Sequence, residues 1–153
     1  MNAIAGGTAG NRGIRGQLVQ SFMAILENQQ TVAPYDTVIP GASGRSTMTV
    51  EAAGQVICFD ATINGFDPEL ARLYFGEAGS NGNIVFDFSA AKVGAGRFLG
   101  CLPIETLGIG VQTVDEILAD SYLYYMEFRV SASKSSPTIR GQLPRPTPGV
   151  IAS

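Results

Sequence analysis

Apolar and polar residues alternate with a period of two along several stretches of this chain. Positions 45–52 put Met48, Val50 and Ala52 on one side and Thr47, Thr49 and Glu51 on the other. That period marks a strand with one buried face. Positions 55–63 repeat it, with Ile57, Phe59, Ala61 and Ile63 predicted inward and Cys58, Asp60 and Thr62 outward; Ala53 and Gly54 supply the turn of a hairpin. Positions 71–75 set Ala71, Leu73 and Phe75 against Arg72 and Tyr74, and positions 83–88 form an apolar, aromatic strand. Positions 122–132 give the longest alternation. Tyr124, Met126, Phe128 and Val130 are predicted inward, and Tyr125, Glu127, Arg129 and Ser131 outward. Positions 138–143 make a last strand.

The intervening segments read as turns and connections. A first ordered segment is expected near 14–26. Positions 28–44 hold Pro34, Pro40, Gly41 and Gly44 and read as a long connection. Positions 76–82 form a glycine-punctuated loop. Glycines at 94, 96, 100, 108 and 110 predict an irregular stretch with at most short strands. Thr113, Val114, Asp115 and Glu116 fit a capping box, so one short helix is expected to start at Thr113 and end by Ser121. Pro144, Pro146 and Pro148 forbid further ladder bonds and give an extended tail. Many short strands with one short helix predict an all-β fold, a β-sandwich or small barrel. Three parts are expected: an N-terminal arm with an extra strand (1–20), the folded unit (21–143) and a proline-rich tail (144–153).

Composition narrows the function. With 153 residues, 45% hydrophobic and 15% charged, the chain can bury a full core without metals or disulfide staples. A net charge of −3 leaves no basic stripe for phosphates, so no nucleic-acid partner is expected. No apolar run reaches the length of a transmembrane segment. Histidine is absent, which removes the commonest general base and a common metal ligand. No metal, cofactor or catalytic residue is expected. Asp60, Asp87 and Asp115 lack an evident partner base, and residues 76–82 lack the strand-to-helix setting of a phosphate loop. Cys58 and Cys101 are either one disulfide or two free thiols; because Cys58 falls on the polar face, a bridge there would lie near the surface. The first 16 residues have no apolar core of the kind a secretory signal carries.

Three segments in order resemble the CHRD domain, the chordin-type repeat. The run Ala71, Arg72, Leu73, Tyr74, Phe75, Gly76, Glu77, Ala78, Gly79, Ser80, Asn81, Gly82 resembles the family's AHIH-x-G-x-x-G-x-NG stretch. Tyr124, Tyr125, Met126, Glu127, Phe128, Arg129 resembles YYVNVH, and Ile139, Arg140, Gly141, Gln142, Leu143 matches the closing IRGQL. Positions 22–26 and 29–34 resemble the opening strand and its QEVPP loop. The resemblance spans about Ser21 to Leu143. It implies an immunoglobulin-like or superoxide-dismutase-like Greek-key β-sandwich or barrel that serves as an extracellular interaction module. Where the family commonly has histidine, this chain has Arg72, Tyr74 and Arg129. A metal bound through imidazole is therefore not expected, since arginine stays charged and is no ordinary ligand.

The five residues Ile14, Arg15, Gly16, Gln17 and Leu18 repeat Ile139 to Leu143. The segment either pairs within its own sheet or adds as a donated strand to the open edge of another copy. Arg72, Tyr74, Glu127 and Arg129 could form an outer-face polar cluster, read either as a solvated salt-bridge ladder or as an arginine contact for an anion. The expectation is a non-catalytic structural or interaction module, a self-associating subunit of an extracellular or particle-surface assembly. The alternative is a monomeric adhesion or ligand-binding module that recognises a protein or glycan.

Overall fold

The computed structural model describes residues 19–27, 41–51, 53, 55–133 and 136–146. The repeat at Ile14 to Leu18, most of the long connection and the end of the tail lie outside them. Nine strands run β1 (Val19–Glu27), β2 (Ser43–Glu51), β3 (Val56–Asn64), β4 (Leu70–Phe75), β5 (Asn83–Asp87), β6 (Lys92–Gly94), β7 (Arg97–Pro103), β8 (Tyr124–Arg129) and β9 (Thr138–Gln142). All neighbours are antiparallel, in the order β5-β4-β8-β9-β1-β2-β3-β7-β6. The all-β expectation holds.

The sheet curls on itself, so that β5-β4-β8-β9 faces β1-β2-β3-β7-β6. The seam between these halves is narrow: β1 and β9 share one bridge, Glu27 with Arg140. Alternation explains the filling. Phe22, Ala24 and Leu26 of β1, Met48 and Val50 of β2, and Ile57, Phe59, Ala61 and Ile63 of β3 point inward and are buried. They meet Ala71, Leu73, Phe86, Met126, Phe128 and Ile139 of the other half. An aromatic cluster spans the interior. Phe88 stacks on Phe59 at 4.2 Å, and Phe128 meets Phe88 and Phe98 edge-on at 5.7 and 5.2 Å. Each such pair adds about 0.5–1.5 kcal/mol beyond burial itself. The Ser46 hydroxyl reaches Met126 Sδ at 3.2 Å across the layers.

Four local expectations differ from the structure; one is Val130, predicted inward, which lies just past the end of β8 and is 37% exposed. Residues 97–103 form a seven-residue strand paired with β3 along its length, not an irregular stretch. Gly96, at φ +63°, makes the tight turn before it, and Gly100 lies within the strand opposite Phe59. The helix spans Val111–Ala119 and starts from Gly110, without a side-chain cap, so Thr113 sits inside its first turn rather than capping it. A single helical turn, Ile104–Leu107, precedes it and ends on Gly108 in the left-handed region. Phe75, predicted inward, is half-exposed, beyond a register shift between Leu73 and Tyr74 against β5.

Candidate functional site

The polar residues of β4, β8 and β9 lie on the face opposite the aromatic interior. Register sets them in rows. Arg72, Glu127 and Arg140 stand side by side, as do Tyr74, Tyr125 and Gln142, and Leu70, Arg129 and Thr138. The predicted outer-face residues Arg72, Tyr74, Glu127 and Arg129 are thus brought onto one patch. The patch is not a solvated ladder. Every residue of β8 is buried on both faces, including Glu127 at 1% and Arg129 at 3% exposure.

Two loops cause this by folding back over the face. Residues 76–82 close one side. Arg140 Nη2 donates to the Glu77 carbonyl at 3.0 Å and Nη1 to Asn81 Oδ1 at 3.4 Å. Gln142 Nε2 donates to the carbonyls of Gly76 and Tyr122, both at 2.8 Å, and the Gly82 amide donates to the Tyr125 hydroxyl at 3.0 Å. Gly82 has no room for a side chain, since a Cβ there would lie 1.7 Å from the Phe75 carbonyl oxygen. Residues 130–133 and 136–137 close the other side. Arg129 Nη2 donates to the Ser133 carbonyl, and Ser136 Oγ bridges the Ser131 amide and carbonyl.

The Arg140 guanidinium lies 3.4 Å from the centre of the Tyr125 ring, and Tyr125 stacks on Tyr74 at 5.0 Å. Arg72 pairs with Asp87 at 3.0 Å, and Asp87 also accepts the Ser89 amide at 2.8 Å. Burial pushes the Asp87 carboxyl up, but hydrogen bonds from Ser89 and Arg72 outweigh it and leave the group below its ordinary value. Glu127 is the opposite case. No described donor meets either of its oxygens in good hydrogen-bond geometry. Burial pushes its carboxyl above the ordinary value, against Arg129, Arg140, the nearby Tyr74 hydroxyl and Arg72. Burial likewise lowers Arg140, opposed by Tyr125 and Glu127.

Arg140 and Gln142 are the residues that sequence reasoning missed as members of this cluster. Their alternation with Ile139 and Leu143 already placed them on the same face. As chemistry, the cluster offers charge pairing and loop fixation: a buried carboxylate between arginines, covered by two segments that its own side chains hold. Among the described residues, no group of three or more acids or cysteines is placed to hold a metal ion.

The second sequence-predicted pair lies on the other layer. Cys58 of β3 and Cys101 of β7 face each other in register and are joined as a disulfide on the outer face, Cys58 half-buried and Cys101 exposed. Around it lie Thr47, Thr49, Asp60 and Leu99. Asp60 is held by Arg97 at 2.5 Å.

The family model of the CHRD domain matches residues 22–143 of this chain. No curated protein and no solved structure matches it.

Proposed function

Because the chain belongs to the CHRD-domain family, we propose that it is a non-catalytic interaction module that associates with copies of itself through main-chain strand contacts. In this reading residues 21–143 are the folded module, 1–20 a donor arm and 144–153 a second arm. The observation that carries it is the seam beside β1. Among the described residues, the one ladder bridge between β1 and β9 is at Glu27, and Val19 to Met23 make no ladder bridge on that side, which leaves main-chain groups there for another strand. The strand that fills the seam at its closed end is β9, and its sequence recurs at Ile14 to Leu18. No residue separates Leu18 from Val19, so the copy lacks the two-residue turn needed to fold back on β1. Addition to a neighbour's edge is the favoured geometry. A contact of this kind joins unlike surfaces and propagates into rings or filaments.

The Cys58–Cys101 bridge supports an oxidising location outside the cell or on a particle surface. The lack of histidine supports a role without acid–base chemistry. No helix among the described residues is long and apolar enough to cross a membrane. The test is sedimentation velocity of the full chain and of a chain lacking residues 1–18. Concentration-dependent assemblies that the deletion makes clearly smaller are expected. A monomer at high concentration, or assemblies indifferent to the deletion, would overturn the reading.

A further inference from the structure

A groove of about 410 Å³ runs between the 111–119 helix and the ends of β4, β5 and β8. Phe75, Val85, Leu123 and Tyr124 form its apolar floor, and Glu116 and Asp120 stand on its helical rim. Phe75 is 49% exposed there and packs edge-on against Tyr124 at 5.1 Å. The acids face this floor: burial first, and then the negative charges of Glu116 and Asp120, push the Tyr124 hydroxyl up. Neither acid has an ion-pair partner among the described residues. An aromatic floor with unpaired acids at its rim fits a proline-rich segment that carries a cation. Prolines stack on rings and enter already extended, and the cation meets the acids.

The chain itself carries one such segment at the same end of the molecule. The Leu143 amide donates to the Tyr124 carbonyl at 2.9 Å, and the Ser121 hydroxyl donates to the Pro144 carbonyl at 2.5 Å. The tail therefore leaves the fold beside Asp120, Leu123 and Tyr124. Arg145 sits between Pro144 and Pro146 and has no ion-pair partner among the described residues. Within its own chain its guanidinium lies over the Tyr122 ring at 3.9 Å, so the acids of its own groove are left without it.

We infer that this groove receives the 144–148 segment of a second copy, with Arg145 between Glu116 and Asp120 and the prolines on Phe75 and Tyr124. Donor and acceptor lie side by side, so two copies facing each other exchange tails reciprocally around a twofold axis. The contact uses a different surface from the seam of β1 and does not depend on residues 1–18.

The experiment uses the full chain and a labelled synthetic peptide of residues 143–153. The peptide is expected to bind. Charge reversal in Glu116→Arg with Asp120→Arg should weaken its binding by tenfold or more, and a peptide with Arg145→Glu should recover affinity for that reversed groove. In the full chain, Arg145→Glu alone should lower self-association, and the triple reversal should restore it, which excludes misfolding as the cause. Indifference of binding to the rim charges, or failure of the triple reversal to restore association, overturns the inference. So does a groove that binds the peptide in a chain whose mass never rises above the monomer, because the occupant is then not a second copy. If peptide binding fails while deletion of 1–18 still dissolves assemblies, this inference fails and the strand-edge reading stands; the reverse outcome separates them equally.

Discussion

Replacing Arg140 by methionine tests the buried cluster at its centre. The substitution keeps much of the side chain's length and apolar stem. It removes the two hydrogen bonds to Glu77 and Asn81 and the contact over Tyr125, and it leaves Glu127 with one cation fewer on a face sealed from water. Arg140 makes no direct ion pair with Glu127 but attracts it from the neighbouring register position; losing that attraction together with two hydrogen bonds from a charged donor costs about 3–5 kcal/mol. For a chain of this size that is a fall in melting temperature of roughly 6–20 °C. Urea melts followed by circular dichroism suit a protein without tryptophan. The diagnostic comparison is the double variant with Glu127→Gln. If the cost is the stranded carboxylate, the double variant is clearly more stable than Arg140→Met alone, and acid, which protonates Glu127, narrows the deficit of the single variant. Equal stability of the single and double variants would refute the argument and reduce Arg140 to the sum of its neutral contacts. Hydrogen exchange at Gly82, whose amide rests on the Tyr125 hydroxyl, should accelerate in the single variant.

Three further outcomes follow from the same structure. Glu127 has a folded-state pKa above the ordinary 4.5, so the folded chain binds more protons than the unfolded one between those two values. Stability should therefore fall as pH rises through that window, and Glu127→Gln should flatten the decline measured by urea melts. Gly82→Ala should be far more destabilising than Gly79→Ala: the first drives a Cβ into the Phe75 carbonyl, whereas the second meets open space and costs only about 1 kcal/mol for its φ of +85°. Reduction of the Cys58–Cys101 bridge, whose sequence separation is 43, should remove about 4 kcal/mol by chain entropy. Reductant should then leave a chain with both cysteines changed to alanine unaffected.

All four strands of the β5-β4-β8-β9 layer were legible, though not the cover over its outer face; in the other layer the β2-β3 hairpin was legible, while β6 and β7 were not. In β2 and β3 one face meets the core and the other meets water, so alternation reports directly on burial, and the hairpin and its inward residues Met48, Val50, Ile57, Phe59, Ala61 and Ile63 could be read from period two. In β8 the same alternation correctly placed Tyr124, Met126 and Phe128 in the core. It could not tell that Tyr125, Glu127 and Arg129 are covered, because the cover is supplied by residues 76–82, 130–133 and 136–137 and leaves no periodic trace in β8 itself. The clues were non-periodic: tyrosines at 74 and 125 on a face read as solvated, and the crowded glycines at 76 and 82. Strand β7 was obscured by glycines that serve the turn before it. The start of the helix was misplaced because a plausible capping sequence lies two residues inside a helix that begins on Gly110 without a side-chain cap.

The lone bridge between Glu27 and Arg140 also sets how the molecule answers to traction. Val19 and Gln142 lie to the same side of that bridge, so forces drawing β1 and the tail apart peel the two layers open like a page from its spine instead of shearing a ladder of bonds. The covalent link at Cys58 and Cys101 joins neighbours within one layer and stays slack throughout. Load carried from copy to copy through both arms would thus be borne by the packed interior and that one bridge, and the joint would part at low force and close again without chemical damage.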